Sequence, residues 1–118
     1  MAAPPRHYSD FVARYPDLGR AWQQARTEEE RGPLDPRAQR LVKLGIAIAT
    51  GQQGATHSAA RKALAAGLEP EALYQVVALA ATIIGFPAAV AAFGWVRDVL
   101  EEPPAKPAKP ATPAPRGR

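Results

Sequence analysis

Apolar residues along this chain return at steps of three and four. Leu41, Leu44 and Ile48, with Gly45 beside them, share one face of a helix. That helix opens at Asp35-Pro36. An aspartate accepts hydrogen bonds from the first free backbone N–H groups of a helix, and proline suits its first position. The same punctuation predicts the other elements. A short helix covers residues 7–14, with Ser9 as a candidate cap. A second covers 17–31 and ends in the charged run RTEEER, read as a solvated helix end, before Gly32-Pro33 breaks it. A fourth covers 53–66 and stops at Gly67. A fifth runs from Glu69-Pro70 to residue 84 and stops at Gly85, and a sixth runs from Pro87 to about residue 101. No stretch alternates at period two, so strands are not expected. The fold class is all-α, with about six helices.

From Leu73 to Val96 the chain carries no charged residue and is long enough to cross a bilayer. Gly85-Phe86-Pro87 interrupts it near its middle, and proline breaks a continuous helix but suits a new first turn. The segment therefore reads as two buried helices meeting at a sharp turn, and not as a membrane span. The third, fifth and sixth helices are apolar on more than one face, and a 118-residue chain has little interior in which to hide them. A homo-oligomer is expected on that ground. Trp22, Trp95, Phe86 and Phe93 are expected in the core or in subunit contacts.

Composition sharpens this picture. Hydrophobic residues are 47% of the chain but aromatic ones only 7%, so alanine and aliphatic side chains must build the core. There is no cysteine, which excludes disulfides, thiolate metal ligands and thiol catalysis, and agrees with a cytoplasmic location. The N-terminal MAAPPRHYSDF has no apolar core of a secretion signal. The net charge of +4 comes from Lys106, Lys109, Arg116 and Arg118 in the tail, so the body is neutral and shows no nucleic-acid footprint. That tail, PPAKPAKPATPAPRGR, is proline-rich and has no large apolar residue. The expected organisation is one helical domain over residues 1–102, loose over residues 1–5, and a disordered tail over 103–118.

Three segments carry a family resemblance: LDPRAQRLVKL, then HSAARKALAAG followed by PEAL, then IIGFPAAVAAFGWVRDVL. Together they resemble single-domain members of the carboxymuconolactone decarboxylase family, whose fold is that of the alkylhydroperoxidase D-like proteins. The resemblance implies trimers or hexamers with pockets at or near subunit contacts. In redox members of that family an acidic relay residue precedes a Cys-x-x-Cys pair, and a histidine follows. Placed on LDP and ALAAG, the relay position falls on Arg40, the cysteines on Gln52 and Ala55, and the histidine on Ala59. No thiolate is left to attack a peroxide. The lactone decarboxylase branch carries a H-x-H pattern at this turn, of which this chain keeps His57 and has Ala59 in the second place. Many single-domain relatives carry a histidine where Gln75 stands here.

His57 is thus the candidate acid or base, because histidine exchanges protons near neutral pH. Arg61 lies four residues on, one helical turn away, and Arg40 adds positive charge from the third helix, so the two are candidate carboxylate binders. The competing reading makes His57 and Arg61 solvated surface residues. No cofactor is implied. No cluster has metal-ligand spacing, and Gly45, Gly51 and Gly54 form no phosphate loop. Glu71, one turn before Gln75, reads as an ordinary helix-start acid. The expected activity is that of a lyase, decarboxylase or hydrolase acting on a small carboxylated or lactone-type metabolite. The alternative is a non-catalytic oligomeric binding or scaffold protein.

Overall fold

A computed structural model describes residues 6–102. The expected loose residues 1–5 and the tail 103–118 lie outside the described residues. Among the described residues the regular structure is six α-helices and no strand: α1 (Arg6–Arg14), α2 (Pro16–Glu29), α3 (Pro36–Thr50), α4 (Gln53–Ala65), α5 (Pro70–Ile84) and α6 (Phe86–Leu100). Among the described residues no helix is long and apolar enough to cross a membrane, because α5 and α6 are separate helices of 15 residues each. The described residues divide into two compact units, the first ending at Gln39 and the second beginning at Arg40, inside α3.

In the first unit α1 and α2 pack against each other across the single residue Tyr15. Pro16 begins α2, one residue before the expected start, because its missing N–H belongs to a position with no intrahelical partner in any case. Ser9 lies inside α1 and not at its cap, a correction to the sequence expectation, since the helix already starts at Arg6. Gly19 lets the two helices approach closely: a Cβ there would sit 2.6 Å from Val12 Cγ1. It is the only buried residue of these two helices, while Phe11, Leu18 and Trp22 are exposed.

Asp35 caps α3 as expected, its Oδ1 accepting a 2.8 Å hydrogen bond from the Ala38 backbone N–H. In the second unit Leu44 and Ile48 of α3 are buried, with Leu41 packed beside them. Helices α5 and α6 form a hairpin around Gly85, whose φ of 97° lies in the region that side-chain-bearing residues avoid. Helix α4 packs on α6 and, less extensively, on α5. Its C-terminus closes with two bonds, Gly67 N–H to Leu64 O at 2.9 Å and Leu68 N–H to Ala63 O at 3.1 Å. Gly67 supplies the positive φ this motif requires, and the buried Leu68 supplies its apolar contact.

The core holds few large side chains. Leu44, Ile48, Leu73 and Val96 are its largest fully buried apolar residues, and alanines such as Ala60, Ala63 and Ala92 fill the space between them. Trp95 packs half-buried against this core. Trp22, Phe86 and Phe93 are exposed in the described chain, so of the two placements expected for them, core or subunit contact, they are not in the core of the single chain. Phe86 and Phe93 share an outward α6 stripe with Val90, and α3 and α5 expose Val42, Ile46, Leu79 and Ile83. These helices are apolar both inward and outward, as their sequence pattern predicts.

Candidate functional site

His57 sits one turn into α4, and Arg61 follows a turn later on the same face. That face meets the end of α6. Asp98 stands in the last turn of α6, and Glu102 two residues beyond its end. The two helices therefore present two rungs. His57 Nε2 lies 3.6 Å from Asp98 Oδ2. The Arg61 guanidinium donates to both Glu102 oxygens, from Nε at 3.3 Å and from Nη2 at 2.5 Å. Acidic residues at a helix C-terminus face the negative end of its dipole, so Asp98 and Glu102 gain from the basic partners that α4 supplies.

Thr56, beside His57, is fully buried, and its hydroxyl donates to Gln52 O at 2.9 Å, four residues back. This satisfies a polar group that would otherwise disfavour burial. The His57 side chain is 22% exposed. Its Nε2 is shut off from solvent and has no hydrogen-bond partner, and 3.6 Å is just beyond a hydrogen bond. Asp98 is 63% exposed and has room to reorient.

Arg61 and Glu102 shift each other's titration. The hydrogen bond from Arg61 holds the Glu102 carboxyl below its ordinary range, against a smaller opposing effect of burial, and the charges of Arg61 and then His57 add to the pull. The same bond raises the Arg61 pKa above its usual value. A carboxyl depressed by folding stabilises the fold above its ordinary titration range, and that contribution disappears as pH falls through the depressed folded-state value. Glu102→Gln is therefore expected to lower the melting temperature slightly at neutral pH and to match the wild type in strong acid. Salt should shrink the difference, because the pair is half-exposed. Melting curves across pH at low and high salt check this.

The structure thus brings His57 and Arg61 together and adds two residues that sequence reasoning missed, Asp98 and Glu102. Their four-residue spacing matches that of His57 and Arg61, but the separation of 41 positions from Arg61 to Glu102 hides the pairing from any local pattern. Arg40 is half-buried on α3, and among the described residues no hydrogen bond or ion pair joins it to His57 or Arg61. At the positions matching the redox residues, Gln52 and Ala55 are exposed and Ala59 packs half-buried against the core. Two open clefts lie on α1 and α2, lined by residues such as Tyr8, Gln23 and Thr27, and neither includes His57. Among the described residues no cluster of three or more histidine or acidic side chains is arranged to hold a metal ion.

The model of the carboxymuconolactone decarboxylase family matches residues 16–98. No curated protein and no solved structure matches the chain.

Proposed function

This chain belongs to the carboxymuconolactone decarboxylase family, and we propose that it is a cofactor-free enzyme acting on a small carboxylated or lactone-type metabolite, as a lyase, decarboxylase or hydrolase. The observation that carries this reading is His57, half-buried on α4 with one ring nitrogen enclosed and a carboxylate facing it. A histidine held in this way can take a proton from a bound substrate and return it to the product. Arg61, with Arg40, is the carboxylate binder in this reading. Arg61 already holds Glu102, so an anionic ligand has to replace Glu102 at the guanidinium. Both partners of that pair are partly exposed, which makes the exchange inexpensive. The test is to incubate the protein with a library of carboxylates and lactones and follow bound ligands and products by mass spectrometry. At least one member should be consumed by wild type and spared by His57→Ala. No consumption of any member would count against an enzyme.

The second reading, a non-catalytic oligomeric binding or scaffold protein, is favoured by the Arg61–Glu102 pair, which neutralises the candidate anion binder, and by the apolar outward faces of α3, α5 and α6. Both readings include a homo-oligomer, a trimer or hexamer, formed through such faces. Ile83 is 82% exposed, and Leu79 stands one turn before it. Burying such side chains contributes about 1.5–3 kcal/mol each. Light scattering should give a trimer or larger for wild type and smaller species for Ile83→Asp. A wild-type monomer at micromolar concentration would end the oligomer proposal.

A further inference from the structure

We propose that Asp98 is the positioning residue of His57: its carboxylate holds the proton on Nε2, so that Nδ1 is the nitrogen that exchanges protons with a substrate. The inference rests on the acid–base reading above and specifies its atoms. Three observations carry it. Nε2 is enclosed against α6 without a hydrogen-bond partner, a condition that buried nitrogens rarely keep. The acceptor within ion-pair reach is Asp98 Oδ2 at 3.6 Å, on a side chain exposed enough to swing the remaining distance. The other acid of the pair of rungs, Glu102, is already bound by Arg61 through two of its guanidinium nitrogens. Asp98 is therefore the carboxylate left for His57.

The chemistry follows from the two nitrogens of the ring. A neutral imidazole carries one N–H and one lone pair, and the hydrogen bond made by one nitrogen decides which is which. With Nε2–H pointing at Asp98, the lone pair lies on Nδ1. A substrate proton transfers to Nδ1, and the imidazolium that forms faces the Asp98 carboxylate. The same proton then leaves Nδ1 for the product, so the ring ends the cycle as it began. Enclosure of Nε2 also means that a molecule arriving from solvent meets the ring at its other edge.

Long-range proton–nitrogen correlation spectra of the full-length, nitrogen-15-labelled protein test this without a substrate, above histidine's ordinary titration range. His7, exposed on α1, is the internal reference. The expected spectrum has His57 as a single tautomer, protonated on Nε2 and bare on Nδ1, while His7 shows the mixture of a free imidazole. Asp98→Ala should move the His57 nitrogens onto the His7 values, Asp98→Glu should restore them at least in part, and Glu102→Gln should leave them unchanged. A His57 signal in wild type that matches His7, a proton on Nδ1, or no change in Asp98→Ala overturns the proposal. A result of that kind, combined with turnover lost in His57→Ala, removes Asp98 and keeps the enzyme. The expected spectra, with no library member consumed, support the pairing and remove the enzyme reading.

Discussion

His57→Ala is expected to slow turnover of a carboxylate or lactone substrate by about 10²–10⁴-fold, the usual contribution of a positioned acid or base. Folding should survive the change. The ring is partly exposed and is not among the buried residues of the core cluster, so its loss leaves the core packing in place. The neighbouring Arg61 separates chemistry from binding. Arg61→Ala should weaken an anionic ligand on the order of tenfold to a hundredfold, the range for a charge-assisted hydrogen bond. Glu102→Gln should do the opposite, because it frees the guanidinium from its present partner. Ligand titrations by calorimetry and product assays on the three variants check the set. Unchanged turnover and affinity in His57→Ala and Arg61→Ala would place the site elsewhere.

Leu73→Ala is expected to cost about 2–5 kcal/mol of stability in the α3–α6 unit, the range for a fully buried leucine. The upper half of that range applies here. Leu73 is one of few large side chains in a core otherwise filled by alanine, and alanines have no flexible atoms with which to close a cavity. In a domain of this size each 1 kcal/mol moves the melting temperature by about 4–8 °C, so a fall of about 10 °C or more is anticipated. Leu79→Ala on the same helix is the control. Leu79 is exposed, and its truncation should stay within about 0.5 kcal/mol for the isolated subunit. Denaturant titrations at several protein concentrations separate core loss from subunit dissociation, since only the latter varies with concentration. A loss below about 1 kcal/mol for Leu73→Ala would show that the core closes around the missing atoms.

The helices were legible because their signals are local. Asp35 and Pro36 at the start of α3, Gly67 at the end of α4 and Gly85 between α5 and α6 act through their own backbone and its nearest turn. The misses were also local in kind. Pro16 begins α2 directly after α1, a one-residue connection that left no loop to recognise, and Ser9 proved interior to its helix. The aromatic residues left two placements open for a different reason. Burial of Phe86 or Trp22 depends on what packs against the helix, and large apolar side chains on outward faces have the same sequence pattern as those in a core.

The site divides along the same line. His57 and Arg61 were visible as a four-residue pair on one helix, and the replacement of every redox position was visible residue by residue. Their partners were not, because a salt bridge between α4 and α6 depends on how those helices cross. Sequence alone determined that the chain is cysteine-free and all-helical, with a histidine and an arginine one turn apart, because composition and the 3.6-residue period carry that information within a few turns of chain; its likeness to the family was carried separately by three local segments. Only the tertiary structure decided that Asp98 faces His57, that Glu102 already occupies Arg61, and that Nε2 is enclosed. These are distances between residues some forty positions apart, and they arise where alanine-lined helices pack closely enough to bring two charged edges together.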